Sequence, residues 1–459
     1  MSQVKTVLFR ADSSSKIGTG HIMRDLVLAK KYAKKGVRVL FATRNLEGNI
    51  NQKIVDAGYE IFLLQSNGKK ELVQLLKNLR VDLLVIDHYG IGYQKERYIK
   101  QKTQVKILSF DDTYKRHYCD ILLNHNVGAN KHKYKKLVPK KCKIQCGKKY
   151  TLLRDEFYEQ KSKKYKKNKK KKRVFLAMGG ADTAKLNCKI LDVLMKFKEL
   201  RVSVVTTDAN PNLQKLKQYV KNKKQIELHI NSTKIAKLMA KSDFAIVTPS
   251  VVLNEVFFMK LPFIAIQTAD NQKDIYQYLQ KKDYDVMDSF DEEKLEFFLF
   301  LHLYDYRMKN FTSLDKKDKK ILLQWRNEKR VRKWMYSKDK ILLKHHLAYI
   351  NSLKQKDDRI YFLVEHNFQK IGVIDLTNIK NKSAEIGLYA NPNLYGVGAI
   401  LMQLIIRYGF LYLKLKLLKA NVYTNNIKAL NLYKKFGFLI HHEKEGLYYM
   451  RLKRKDANV

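Results

Sequence analysis

Residues 4–21 read VKTVLFRADSSSKIGTGH, and residues 22–36 continue IMRDLVLAKKYAKKG. VKTVLF is a short apolar strand, RADSSSKIGTG a polar turn, and the rest, from His21 on, an amphipathic helix. A strand that runs into such a turn and helix opens a βαβ unit. Further strands follow at VRVLFAT (37–43), VDLLVID (81–87) and KILSFDD (106–112), with helical stretches between them. These strands are continuously apolar, as in a parallel sheet covered by helices on both faces.

Residues 161–173, KSKKYKKNKKKKR, interrupt the pattern. A run of like charge repels itself and reads as a solvated linker. The alternation then restarts with RVFLAMGG (173–180), RVSVVTT (201–207), IELHI (226–230), DFAIVTPS (243–250) and PFIAIQT (262–268). Two α/β halves are expected, with a site in the cleft between them at the carboxyl ends of their strands. Near residue 300 the texture changes. A polar helix spans DKKDKKILLQWRNEKRVRKWM (315–335). Strands follow at YFLVEH, QKIGVIDLT and SAEIGLYANP, then a helix after Gly398, the strand KANVYT and a last helix, NIKALNLYKKFGF. This is a third, different domain. The expected divisions are 1–158, a linker at 159–173, 174–300 and 307–455.

Three domains suit 459 residues at about 100–200 residues each. Lys and Arg number 92 against 44 Asp and Glu, a net charge of +48. The lysines are spread along the whole chain rather than gathered on one motif, and Pro numbers only 5. Compositional drift explains this as well as function does, and no nucleic-acid partner is expected. Four cysteines, Cys119, Cys142, Cys146 and Cys188, do not make a disulfide scaffold. The C-x3-C pair at 142–146 lacks a nearby histidine pair, so no metal is expected. The start MSQVKTVLFRAD has no basic, apolar leader. No apolar run reaches the ~20 residues that cross a bilayer, so a soluble, cytoplasmic protein is expected.

Gly18 and Gly20 permit a tight turn, and the unpaired amides of a helix start favour an anion. The full G-x-G-x-x-G is absent, so a dinucleotide fingerprint is not met. His21 opens the helix at a strand end, where histidine suits a general base near neutral pH.

The block FRADSSSKIGTGHIMRDLVLAKKY, with LLVIDHYGI, KILSFDD, CDILLN, MGGAD and VLNE…DNQ, resembles the UDP-sugar hydrolases of the pseudaminic acid pathway over about residues 4–285. The resemblance implies a GT-B-type pair of Rossmann-like halves that uses water as acceptor. It implies cleavage of UDP-2,4-diacetamido-2,4,6-trideoxy-β-L-altrose to UDP and free sugar, with His21 as proton acceptor. An oxocarbenium-like transition state and inversion are then expected. Helix-start amides can stabilise the diphosphate without metal, which makes Gly179, Gly180, Thr248, Pro249 and Ser250 candidates. The resemblance places Glu255 on the ribose or uridine side and makes Asn271 a binding residue. Asp12 holds the sugar or orients His21. His88 is either a second polar group of the cleft or structural, and Arg154 pairs with an acid.

In the last domain, Leu394-Tyr395-Gly396-Val397-Gly398-Ala399 directs backbone amides at a pyrophosphate. This resembles the pyrophosphate loop of GNAT acetyltransferases, with Asn393 departing from the usual Gln or Arg. Asn426, Ala429, Tyr433, Gly437 and Phe438 resemble a second GNAT signature. Over residues 307–455 the resemblance implies acetyl-CoA as co-substrate, with Leu388 and Ala390 pairing with the pantetheine arm and Tyr395–Ala399 and Asn426 nearby. Tyr433 is the implied general acid and Glu385 a possible base through water. The helix around Trp325–Arg332 is an acceptor wall or simply amphipathic.

Together the resemblances imply a bifunctional enzyme acting on UDP-linked amino sugars. It acetylates the 4-amino group of a UDP-4-amino-4,6-dideoxy-N-acetyl-β-L-altrosamine, then removes UDP. The alternatives are a GT-B glycosyltransferase fused to a GNAT that acts on another amine, and a protein acetyltransferase with a non-catalytic N-terminal module.

Overall fold

The chain folds around three β-sheets. The computed structural model describes residues 4–163, 165 and 171–457. The first sheet holds β1 (Thr6–Ala11), β2 (Arg38–Thr43), β3 (Glu60–Leu63), β4 (Leu83–Asp87), β5 (Lys106–Phe110), β6 (Ile121–Asn124) and β7 (Lys143–Cys146). All are parallel, in the order β3-β2-β1-β4-β5-β6-β7. Alternate side chains of β1 feed opposite faces. Val7, Phe9 and Ala11 pack with Ile22 and Ala29 of the helix Gly20–Ala33, whereas Leu8 packs with Leu72 and Leu76. That two-sided burial accounts for the continuous apolar run.

The second sheet repeats the plan with β8 (Lys172–Ala177), β9 (Leu200–Thr206), β10 (Ile226–Ile230), β11 (Phe244–Val247), β12 (Phe263–Ile266) and β13 (Asp285–Met287). Its order is β10-β9-β8-β11-β12-β13, again all parallel. In each sheet the order reverses beside the first strand, between β1 and β4 and between β8 and β11. Loops diverge there and leave a crevice for a ligand. Both sheets lie in one unit, Met1–Phe290.

The third sheet lies in the unit Asp291–Val459. It comprises β14 (Tyr306–Asn310), β15 (Ile360–His366), β16 (Gln369–Lys380), β17 (Ser383–Ala390), β18 (Leu417–Tyr423), β19 (Leu439–Lys444) and β20 (Leu447–Lys453), in the order β14-β15-β16-β17-β18-β20-β19. Every pairing is antiparallel except β17 with β18.

Three expectations need correction. The helix Glu292–Leu303 belongs to the last unit, not to the second Rossmann-like half. Phe297 packs on Tyr408 and Tyr412 at 5.6 and 5.8 Å, Lys414 bonds Asp291, and Arg454 bonds Glu293. The helix expected over 315–335 breaks at Glu328, whose ψ of 132° is extended, into Lys316–Asn327 and Lys329–Arg332. The basic linker is narrower than expected. A helix runs to Lys161 and β8 starts at Lys172, while residues 164 and 166–170 of that linker lie outside the described residues.

Candidate active sites

The loop after β1 begins with Asp12 and ends at the helix Gly20–Ala33. Ser14 Oγ accepts from the amides of Lys16 and Ile17, and Gly18 N–H donates to Ser14 O at 2.8 Å. Gly18 has φ +85°, a conformation that favours glycine. No side chain caps the helix, so its first amides remain available. Gly20 lies in ordinary contact with Val251 of the second half, 3.8 Å from where a Cβ would sit.

His21 is buried, and its Nδ1 is 2.5 Å from Asp87 Oδ1. Asp87 ends β4, the strand beside β1. Arg24, one turn along the helix, donates Nε and Nη2 to the same carboxylate. Burial alone would raise the Asp87 pKa, but the charges and hydrogen bonds of Arg24 and His21 hold it well below the usual range. An ionised Asp87 accepts the Nδ1 proton and leaves His21 Nε2 as the basic nitrogen. The Tyr89 ring meets His21 edge to face at 5.0 Å. Its hydroxyl donates to Asp112 and accepts from Asn271 Nδ2 at 3.3 Å. Asn271, from the second half, thereby reaches the surroundings of His21.

Asp12 does not orient His21. Its two oxygens accept from Arg10, from the Arg44 amide and guanidinium, and from His88 Nε2. Against the effect of burial, these donors keep it strongly ionised. Both ring nitrogens of His88 are engaged, because Nδ1 accepts from Gly90 N at 2.8 Å. Sequence reasoning missed Asp87, Arg24 and Tyr89 as partners of His21. The usable signal was that Asp87 and Tyr89 stand at the end of the strand neighbouring β1.

In the second half, Gly179 has φ +82°. A Cβ on Gly180 would lie 3.0 Å from Thr207 Cγ2 and 3.5 Å from Thr19 Oγ1, so the turn approaches the His21 loop. Ser250 precedes the helix Val251–Met259, bonds Thr248 Oγ1 at 2.9 Å and leaves that helix start uncapped. Glu255 is not a solvated helix charge: only 14% of its side chain is exposed, and it pairs with Arg154 at 3.2 Å. Burial outweighs Arg154 and pushes its pKa up to about 7. A crevice of about 340 Å³ runs along Thr268, Ala269 and Asp270 beside Asn271.

The second site forms where β17 and β18 part. Their pairing covers only Ser383–Glu385 against Leu417–Lys419. Beyond it β17 continues through Leu388 and Ala390 with one edge unpaired by β18, and an extended chain can add there by backbone hydrogen bonds. The turn that follows carries Tyr395, 85% exposed, whose hydroxyl accepts from Arg330. Gly396 has φ +78°. Val397 precedes the helix Gly398–Arg407 without a side-chain cap, leaving the amides from Gly398 and Ala399 onward open to an anion. A Cβ on Gly398 would lie 3.2 Å from Leu432, so the following helix packs closely against the turn. Asn426 caps that helix, Ile427–Lys435, by accepting from the Ala429 amide at 3.2 Å. Tyr433 is buried against Phe438. Burial first, then the nearby Asp375 and Glu385 carboxylates, raise its hydroxyl pKa. Glu385 accepts from Tyr336 and Asn421 at 3.1 and 3.0 Å.

Comparison with known proteins meets this geometry at both ends. The chain is 45% identical over 281 residues, 61% of its length, to the UDP-2,4-diacetamido-2,4,6-trideoxy-β-L-altropyranose hydrolase of Campylobacter jejuni, and covers 98% of that relative. The chain belongs to this hydrolase family. Residues 310–439 match the acetyltransferase (GNAT) domain family. Acetyltransferase PseH of C. jejuni is 44% identical over 153 residues, 33% of the chain and 97% of that protein. The crystal structure of C. jejuni PseH in complex with acetyl coenzyme A aligns at 42% identity over 32% of the chain and 99% of that structure, with a TM-score of 0.29. The chain is thus a bifunctional enzyme, a family hydrolase followed by a GNAT N-acetyltransferase. Among the described residues no helix is long and apolar enough to cross a membrane.

Proposed function

We propose that the enzyme performs two consecutive steps on one UDP-linked amino sugar: N-acetylation of the 4-amino group from acetyl-CoA, then hydrolysis of the acetylated product to UDP and 2,4-diacetamido-2,4,6-trideoxy-β-L-altrose. The observation that carries the hydrolytic step is the Asp87–His21 pair at the switch point of the first sheet. Asp87 fixes the tautomer, and His21 Nε2 takes a proton from the attacking water. UDP is a good leaving group, so stabilising its charge replaces a carboxylic general acid. The uncapped helix start after Ser250 supplies that stabilisation without reorganising, whereas the helix expected directly after Gly180 starts only at Asn187 and has its first amides taken by Asp182. Glu255 takes the ribose hydroxyls, and Asn271, held near His21 through Tyr89, takes the sugar.

Acetyl-CoA fits the second site. Its pantetheine adds to the free edge of β17 at Leu388 and Ala390, and its pyrophosphate meets the turn Tyr395–Ala399. Asn426 serves that site by capping the helix that carries Tyr433. Tyr433 protonates the departing thiolate.

The test is to incubate the purified enzyme with the UDP-4-amino sugar, with and without acetyl-CoA, and follow products by NMR and mass spectrometry. The expected result is acetyl-CoA consumption followed by UDP and the diacetamido sugar. Acetylation with an intact UDP bond would overturn the hydrolytic reading.

A further inference from the structure

The acetyltransferase site holds a second carboxylate, one that sequence reasoning passed over. Asp375 stands on β16 directly opposite Gly387 of β17. Its carboxylate occupies the space over that glycine: a Cβ on Gly387 would lie 2.6 Å from Oδ2 and 2.8 Å from Oδ1. Gly387 lies two residues beyond Glu385, the last residue of β17 that pairs with β18, so Asp375 sits at the point where the strands part. By the alternation of strand side chains, Asp375 shares its face of the sheet with Glu385 and Tyr389.

The two acids differ in what they touch. Glu385 is occupied by Tyr336, Asn421 and, at 3.4 Å, Asn378. Among the described residues no hydrogen-bond donor reaches Asp375. The titratable groups that feel its charge are Glu385 and Tyr389 from β17, Tyr361 from β15 and Tyr433 from the helix Ile427–Lys435. None of these carries a positive charge, and Arg326 acts on Tyr389 and donates to Ser337 O rather than to Asp375. Burial, then repulsion from Glu385, pushes the Asp375 pKa up to about 7. A carboxylate without a partner, on the same face of the sheet as a second carboxylate and where the strands part, is placed to meet a cation.

We propose that Asp375 is the general base of the acetyltransferase, receiving the proton of the acceptor's ammonium group. The assignment rests on the acetyl-transfer reading above. The ammonium N–H bond breaks and its proton goes to the Asp375 carboxylate. The freed nitrogen lone pair forms the new C–N bond to the thioester carbon as the C–S bond breaks. The thiolate takes the Tyr433 proton, and the tyrosinate recovers a proton from the acetylated nitrogen. Asp375 returns its proton to solvent. The sum is ammonium plus thioester to amide, thiol and one proton. A base that titrates near 7 and an acid held well above it are what this reaction needs.

The test measures acetylation of the UDP-4-amino sugar by the full chain from about pH 6 to about 8, beside acetyl-CoA affinity by calorimetry. Wild-type kcat is expected to rise with pH around a midpoint near 7. Asp375→Asn is expected to lower kcat by about 100-fold or more, to lose that midpoint, and to keep acetyl-CoA affinity. A wild-type profile that stays flat over this range overturns the assignment whether or not the variant folds. A variant that keeps the wild-type rate overturns it too, as does a loss that follows Glu385→Gln instead. No acetylation by the wild type would remove the acetyl-transfer reading, and the assignment with it.

Discussion

Three carboxylates of the two active sites, Asp87, Asp12 and Asp375, are treated in opposite ways. In the hydrolase half, Asp87 is gripped by Arg24 and His21, and Asp12 by Arg10, Arg44 and His88. In the acetyltransferase, Asp375 has a second carboxylate for a neighbour and no donor among the described residues. Desolvation raises the pKa in all three cases, and only the partners differ. Pairing wins at Asp87 and Asp12, which stay ionised; nothing opposes burial at Asp375. A permanently ionised carboxylate suits positioning, because it holds an imidazole in one tautomer at any working pH. A carboxylate that titrates near neutrality suits proton transfer.

The comparison can be broken most directly at its centre. His21→Ala is expected to lower UDP release from the acetylated substrate by about 100- to 10,000-fold while acetylation proceeds; 31P NMR reads the UDP release and mass spectrometry the acetylation. Asp87→Asn removes the grip on both His21 and Arg24. It leaves the buried Arg24 guanidinium with only Asp112, 3.6 Å away, so urea denaturation should show a loss of up to about 3–5 kcal/mol alongside weaker hydrolysis. An unchanged denaturation midpoint would show that the pair does not carry the charge balance assigned to it. Tyr433→Phe sharpens the other side: acetylation should slow by about 10- to 100-fold with UDP release from pre-acetylated substrate intact.

Glu255 crosses the two classes, because it has a partner and yet titrates near 7. Its raised pKa means that it takes up a proton as pH falls through 7, and the protonated acid accepts ribose hydroxyls less well. UDP affinity, by calorimetry, is expected to fall from about pH 8 to about 6, by up to about tenfold, and Glu255→Gln to flatten that dependence. The smallest effect is at Gly396, whose φ of +78° strains any side chain. Gly396→Ala should raise the KM for acetyl-CoA through about 1 kcal/mol of backbone cost, with hydrolysis untouched.

Local features were legible where the residues concerned are neighbours in the chain. His21 at the start of its helix, the turn with Gly18, the glycine turn at Gly396–Ala399 and Tyr433 all follow from strand–turn–helix patterns within some twenty residues. Edge strands were harder to read. β3 is only four residues, EIFL, none of them fully buried, and β7, KIQC, is no longer. Such short segments show little periodicity. The helix Glu292–Leu303 is apolar nearly all round, so its pattern did not say which core it joins. The rings of Tyr408 and Tyr412 settle that.

By itself the sequence determined the fold of each domain, because backbone propensity, apolar period and glycine conformation are local. It also placed both glycine turns and the two residues, His21 and Tyr433, on which the chemistry is assigned. Only the tertiary structure decided their partners. Asp87 is 66 residues from His21, and Asp375 meets Gly387 across a strand pair. Strand order and register bring these groups together, and the charge of a buried carboxylate depends on which donors arrive with it.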